Sequence, residues 1–394
     1  METFYIQKNQ VLTRRRTLLL TMGALAGMGT VSVAGRLRHL NNQVQTLDDP
    51  SREFTVTGDT PLRNRAAAKG LIYGAAGSQR ELSSNADFAA RFAQECAIVV
   101  PEAHLKWKTL RPTPDRFNFA PSDWVLEFAR THSMLFRGHP LVWHNALPEW
   151  FAVKVNKQNA ERIMLEHIRT VAGHYAGKVH SWDVVNEAIR PTDGQADGLR
   201  NTPWLEFLGP DYIDIAFRAA AEADPKALLV YNDFGLEYDR RDDEDKRVAV
   251  LRLLERLKSR GAPVQALGMQ AHLWGDETRF NPEKLRTFLR DVASMGLKIM
   301  ITELDVTDTK LPRDADKRDR MVAGVYEDYL SVVLDEPAVI AVLTWGLTDR
   351  YTWISKEGPR EDKAPSRPLP FDTELKRKFA WNAIARAFDK APRR

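Results

Sequence analysis

The amino-acid sequence predicts a (β/α)8 TIM barrel, an α/β fold, and three observations carry the prediction. From residue 66 onward, short apolar runs alternate with longer amphipathic stretches, eight of each. The runs are aliphatic or β-branched and lack strict polar alternation, as strands covered on both faces must be. The first run leads into Gly74-Ala75-Ala76-Gly77, without the G-x-G-x-x-G spacing that an open, doubly wound sheet usually carries at this turn.

Taken in order, the strand-like runs are Leu71–Ala75, Ala97–Val100, Leu135–Arg137, Ser181–Val185, Ala227–Tyr231, Ala266–Met269, Lys298–Ile301 and Ala338–Thr344. Helical periodicity fills the intervals at Asp87–Glu95, Pro121–Thr131, Asn159–Ala176, Tyr212–Ala223, Asp245–Arg260, Pro282–Ser294 and Lys317–Val333, with a last helix at Thr373–Phe388. There is no internal repeat and no low-complexity region. The mixed-sign run Arg240–Arg247 reads as a solvated helix start. The segments Pro191–Pro203 and Ser355–Pro370 are irregular and read as loops.

The 394 residues are 43% hydrophobic and 28% charged, an ordinary globular composition with enough apolar mass for a large core. Net charge is +4, but the basic residues are dispersed, and part of the excess lies near the two ends. No basic stripe interleaved with aromatics occurs, so nucleic acid is not an expected partner. The single cysteine, Cys96, has no partner for an intramolecular disulfide and lies among apolar neighbours, so it reads as a buried structural thiol.

Residues 1–35 differ from the rest. Arg14-Arg15-Arg16 precedes Thr17-Leu18-Leu19-Leu20 and an apolar stretch rich in Gly, Ala and Thr, which ends near Ser32-Val33-Ala34. A charged segment followed by a short apolar one is the pattern of an export signal, here similar to the twin-arginine type. An uncleaved membrane anchor is the alternative reading of the same stretch. Residues 36–65 read as a polar linker and residues 66–390 as one catalytic domain. The expected location is therefore the periplasm or the medium.

Polar residues cluster where the strand runs end. The second leads into Glu102, His104 and Lys106; the third into His139, Trp143 and His144; the fourth into Asp183, Asn186 and Glu187; the fifth into Asn232 and Asp233. The sixth gives Gln270 and His272, the seventh Glu303 and Asp305, and the eighth Trp345, Asp349 and Trp353. In a barrel all of these converge on the C-terminal rim, where active sites are built. Each alone has a bland explanation: a strand-end glutamate in a salt bridge, a satisfied core histidine, a packed tryptophan. Packing gives no reason for polar groups after seven strands. Paired carboxylates with hydrogen-bonding side chains and many indoles (the chain has ten Trp) suit cleavage of a glycosidic bond. One carboxylic acid protonates the departing oxygen while the other attacks the anomeric carbon or positions water. Glu187 and Glu303 are the candidate pair, because strands four and seven face each other across an eight-stranded barrel.

The motifs Gly138-His139 through Trp143-His144, Trp182-Asp183-Val184-Val185-Asn186-Glu187, Ile301-Thr302-Glu303-Leu304-Asp305 and Thr344-Trp345-Gly346-Leu347-Thr348-Asp349 resemble glycoside hydrolase family ten, the endo-β-1,4-xylanases. The resemblance extends from about residue 66 to residue 388. It implies a retaining enzyme with Glu187 as acid/base and Glu303 as nucleophile. It also implies that Asn186 contacts the 2-hydroxyl of the sugar at the cleavage point, with Lys106, His139 and Trp345 lining that subsite. His272 would bond the nucleophile, Asp305 would orient His272, and Gln270 would support the nucleophile's network. Trp353 would wall the far side; Glu102 and Trp143 would contact substrate, and His144 would support the site. No metal or cofactor is implied. The expected partner is a plant cell-wall-type polysaccharide or its oligosaccharides, and the protein is expected to act as a monomer.

The sequence departs from the family pattern at Ala103, Ala146 and Gly235. The resemblance puts Ala103 and Ala146 where the family grips the second sugar on the non-reducing side, so fewer hydrogen bonds are expected there. Alternative readings are a catalytically altered carbohydrate-binding barrel or a hydrolase of another β-glycoside. A metal-dependent hydrolase built on His139, His144 and His272 lacks the H-E-x-x-H or comparable ligand spacing. A Schiff-base enzyme built on Lys106 has only that rim lysine in its favour.

Overall fold

The computed structural model describes residues 51–394 except Thr278. The leader and the first part of the linker assigned from the sequence lie outside the described residues.

Eight parallel strands close into a barrel. They are β1 (Ile72–Gly77), β2 (Ile98–Pro101), β3 (Leu135–Gly138), β4 (Ser181–Asn186), β5 (Leu228–Asp233), β6 (Ala266–Met269), β7 (Lys298–Thr307) and β8 (Val339–Thr344). Each pairs with the next, and β8 pairs with β1 through Ile72↔Ala341 and Gly74↔Leu343. The principal outer helices are α1 (Ala86–Glu95), α2 (Ala120–Thr131), α3 (Ala160–His174), α4 (Tyr212–Ala223), α5 (Arg241–Ser259), α6 (Pro282–Ser294), α7 (Ala315–Val333) and α8 (Phe379–Lys390). Inside the barrel Ala76, Ile98, Val100, Val230, Ala266, Met300, Ala341 and Leu343 form one apolar cluster, with Trp345 packed on it. The larger core lies between the strands and the helical ring. Cys96 belongs to it and is fully buried. The strands therefore carry apolar side chains on both faces, which is why they lack alternation in the sequence.

Four sequence-based readings change by more than a residue or two at an element's end. Strand β7 runs on to Thr307, because Leu304 still pairs with Thr344 of β8 while Asp305, Val306 and Thr307 pair with a short extended segment, His272–Trp274. Helix α8 begins at Phe379 rather than Thr373; Asp372 instead takes the backbone N–H groups of Glu374 and Lys376 into a turn. The start of α5 is solvated on one side only, where Arg241, Asp242 and Asp245 are exposed. Asp243, Lys246 and Arg247 are buried, and the Lys246 ammonium lies 2.7 Å from Asp233 at the end of β5. Arg247 donates to the carbonyls of Leu236 and Tyr238 in the loop that follows.

The fourth correction concerns the linker. Residues 52–65 pack on the base of the barrel. Phe54 and Leu62 are buried, Arg52 pairs with Glu327 (2.9 Å) and Asp328 (2.6 Å), and Arg65 pairs with Asp389 (2.5 Å). Helix Leu62–Ala67 is tied to α1 by the Leu62 N–H, which donates to the Glu95 carboxylate at 2.9 Å. Polar composition hides this docking, because two buried apolar side chains and two arginines do the anchoring.

Candidate active site

The strand-end residues gather at the C-terminal mouth of the barrel. Glu187 follows β4 with φ +58°, a left-handed backbone conformation that non-glycine residues adopt at a cost. Its backbone is held on both sides: its N–H donates to the Asn232 carbonyl (2.8 Å) and its carbonyl accepts from Arg200 Nε (2.8 Å). Glu303 lies within β7, and its N–H donates to the Gln270 carbonyl (2.9 Å). Both glutamates are buried.

A chain of amides joins the two carboxylates. Asn186 Nδ2 donates to Glu187 Oε1 (3.0 Å), and Gln270 Nε2 donates to the same oxygen (3.1 Å). Asn232 Nδ2 donates to Asn186 Oδ1 (2.9 Å) and to Glu303 Oε1 (2.8 Å), while its own oxygen accepts from the Thr302 hydroxyl (2.8 Å). Gly268 makes room for Asn232: a Cβ there would stand 2.2 Å from the Asn232 oxygen. The expectation that Gln270 supports the nucleophile's network is corrected here. Its side chain serves Glu187 and Asn186, and only its backbone carbonyl serves Glu303.

The other oxygen of Glu303 faces His272 Nε2 at 3.3 Å, and His272 Nδ1 lies 2.9 Å from Asp305. Trp353 Nε1 donates to the second Asp305 oxygen at 2.7 Å, so one carboxylate fixes both rings. Alternation along the His272–Trp274 segment and its pairing with β7 account for this arrangement, since His272 lies opposite Asp305 in the register. Below, Arg137 NH2 and His139 Nδ1 (2.8 Å) share the Asp183 carboxylate, which orients the imidazole under Trp345 at a ring separation of 5.4 Å. Lys106 places its ammonium 5.3 Å from the ring centre of Trp143 and 5.7 Å from that of Trp345. Glu102 follows β2 close to Lys106, and burial raises its carboxyl above the usual range against the pull of Lys106 and Lys356.

The two central carboxyls are pushed in opposite directions. Burial raises Glu187, with the negative charges of Asp233 and Glu303 adding to the shift, against the lowering hydrogen bond from Gln270 and the Arg200 guanidinium. Burial would raise Glu303 as well. The His272 hydrogen bond and the charges of His139, His272 and Lys106 outweigh it and bring the carboxyl down to about 2. Burial lowers His272, but Asp305 and Glu303 on its two nitrogens reverse this and hold the ring well above its ordinary value. At neutral pH the site therefore holds an ionised Glu303 against an imidazolium and an acid with raised proton affinity nearby.

One residue expected to support the site stands apart from both glutamates. His144 makes no hydrogen bond to either glutamate; its Nδ1 is buried without a partner. Burial and the charges of Arg200, Arg190 and Lys246 bring its pKa down to about 3, so the ring is neutral. Conversely, the sequence names Asn232 and Asp183 as polar strand ends without giving them work, and it overlooks Arg200. Their function lies in cross-strand pairing, and the only sequence signal for it is the polar residue at a strand end. Arg200 lies in an irregular loop, where no periodicity marks it.

The model of "Glycosyl hydrolase family 10" matches residues 61–387. "Endo-1,4-beta-xylanase B" of Thermotoga neapolitana is 35% identical over 292 residues, 74% of this chain and 80% of that protein. "Beta-1,4-xylanase" of Dictyoglomus thermophilum is 34% identical over 269 residues, 65% of this chain and 72% of that protein. The structure of native xylanase 10B from Thermotoga maritima superposes with a TM-score of 0.76 at 34% identity, covering 84% of this chain and 98% of the other. Xylanase 10B from Thermotoga petrophila RKU-1, solved in complex with xylobiose, gives a TM-score of 0.76 at 33% identity, covering 85% and 99%.

Proposed function

From the chain's membership of glycosyl hydrolase family 10, in which it is a retaining endo-β-1,4-xylanase, we propose that Glu303 is the nucleophile and Glu187 the general acid/base. The observation that carries the assignment is the opposed ionisation of two buried carboxyls linked by one amide chain. An ionised Glu303 attacks the anomeric carbon as Glu187 protonates the departing oxygen, and a glycosyl ester forms on Glu303. Glycosylation removes the Glu303 charge that raises the Glu187 pKa, so Glu187 can then take a proton from water and the ester is hydrolysed. Asn186, fixed by Glu187, Asn232 and Gln270, presents its amide to the 2-hydroxyl of the sugar being cleaved. Glu102, Lys106, His139, Trp143, Trp345 and Trp353 form the walls that bind the chain, and His272 with Asp305 holds the nucleophile.

Two displacements with inversion give net retention, so NMR of xylan hydrolysis should show the β-anomer of each new reducing end first. Initial appearance of the α-anomer would overturn the assignment of Glu303 as nucleophile. Ala103 and Ala146 offer no side-chain hydrogen bond to the second sugar on the non-reducing side. The reading that follows is weaker affinity for unsubstituted xylan, with the chemistry intact.

The Arg14–Arg16 cluster and the apolar stretch after it support export through a twin-arginine signal. Expression in a bacterium with an intact twin-arginine pathway should yield periplasmic enzyme starting near residue 35, by N-terminal sequencing. Enzyme confined to the cytoplasm with its leader intact would reject this.

A further inference from the structure

Of the ten tryptophans, nine are buried or half-buried, and Trp274 alone is exposed, at 39%. A single exposed apolar side chain is ordinary on a protein surface. Its placement is what makes Trp274 informative. It ends the short extended segment that begins at His272, and Leu273 between them is buried. Side chains two apart on a strand share a face, so Trp274 stands on the face of His272, about 6–7 Å further along. That face is the one His272 presents to Glu303.

The backbone that carries the indole is held in place. The Trp274 backbone N–H donates to the Tyr238 hydroxyl at 2.7 Å, and the Gly275 N–H donates to the Thr307 carbonyl at 2.9 Å. Lys310, paired with Asp276 at 3.0 Å, sets its ammonium 5.7 Å from the ring centre. An aromatic side chain with two rotatable bonds on a fixed backbone loses little conformational entropy on binding, which suits a stacking platform.

The barrel order decides which half of the substrate it meets. Glu187 on β4 and Glu303 on β7 divide the ring of strands in two. One arc holds β8, β1, β2 and β3; the other holds β5 and β6. Lys106, His139 and Trp345 follow strands of the first arc, and under the proposed function they line the subsite of the sugar that becomes attached to Glu303. The leaving half of the chain therefore crosses the second arc. Tyr238 follows β5 and Trp274 follows β6, both in that arc.

We propose that Trp274 is the stacking platform of a distal acceptor subsite, taking a xylose ring in the departing half of a β-1,4-xylan chain. The proposal rests on the xylanase reading above. The test compares wild type with Trp274→Ala on an aryl β-xylobioside, whose leaving group is too short to reach the platform, and on reducing-end-labelled xylohexaose. The expected result is an aryl rate within two-fold of wild type and a xylohexaose KM raised on the order of ten-fold. Cleavage should shift toward the labelled reducing end, because binding modes with many acceptor sugars are weakened, and Trp274→Phe should recover most of the loss. A small change in melting temperature is expected for an exposed side chain and shows that the variant is folded. An unchanged xylohexaose KM, equal losses on both substrates, or a shift toward the non-reducing end would overturn the Trp274 site alone. A wild-type enzyme inactive on the aryl β-xylobioside would sink the xylanase reading itself, and this subsite with it.

Discussion

Glu303→Ala is expected to abolish xylan hydrolysis, with turnover of an activated aryl β-xyloside restored by azide as the α-glycosyl azide. Loss of a covalent nucleophile removes the reaction path itself, and in other covalent hydrolases such a deletion costs on the order of 10^6-fold. The cavity left by the carboxylate lies beside His272 and Asn232, which bind an anion in the native site. Azide can occupy it and attack once from the α-face, which gives one inversion. With Glu303 gone, the proton affinity of Glu187 loses one of its raising influences, so the rescued reaction should lose its acid form at lower pH than the native enzyme. Absence of rescue, or a β-azide, would remove Glu303 from the nucleophile's role.

Glu187→Gln should lower kcat/KM on xylan by roughly 10^2–10^4-fold, the usual contribution of a positioned general acid. An aryl β-xyloside with a good leaving group needs no proton in the first step, so its loss should be much smaller. The pH profile gives a second readout. Under the proposed assignment, activity of the native enzyme requires Glu187 protonated and Glu303 ionised. The alkaline limb then follows Glu187, raised above the ordinary glutamate value, and the acid limb follows Glu303 near 2. The alkaline limb should vanish in Glu187→Gln while the acid limb stays. Azide with Glu187→Ala should give the β-glycosyl azide, the opposite anomer from that of the Glu303 variant, since azide then attacks the glycosyl-enzyme. An alkaline limb that persists in Glu187→Gln would assign the acid elsewhere.

The same ionisation affects stability with a defined sign. Glu303 has its folded-state pKa depressed from 4.5 to about 2, so ionisation of this group stabilises the fold at pH values above 4.5. That contribution is lost as pH falls from 4.5 toward 2. Glu187, with its pKa raised, acts in the opposite direction: its proton stabilises the folded state at low pH, and the gain disappears as pH rises past its folded-state value.

The barrel was legible because periodicity reports burial, and β6, α4 and α6 fall on the residues their patterns assign. What escaped was set by partners far along the chain. Strand β7 looks four residues long from its apolar run, yet it continues through Glu303 and Asp305 because a second segment, 272–274, pairs with that half. The solvated reading of 240–247 holds for one side only, because Lys246 is drawn inward by Asp233, a partner that only the fold brings close. At the site, the two glutamates and Asn186 stood out through motif and strand-end position. Arg200 and Asn232 did not, because they hold other residues and touch them through the fold. Ser355–Pro370 has no periodicity for a different reason: Arg360, Arg367 and Lys378 pin it through Leu311 O, Asp319, Arg367 O and Leu369 O, and such contacts leave no repeat in the sequence.

The docking of residues 52–67 on the base has an architectural consequence. The last residue, Arg394, donates its N–H to Lys69 O at 3.0 Å, and Lys69 reaches the Ala391 carbonyl at 2.8 Å. Lys69, just before β1, and the C-terminal Arg394 thus meet at the end of the barrel where the strands start, opposite the mouth. Residues 52–69 and 391–394 therefore leave the mouth clear, and a long polysaccharide can slide across it without meeting them.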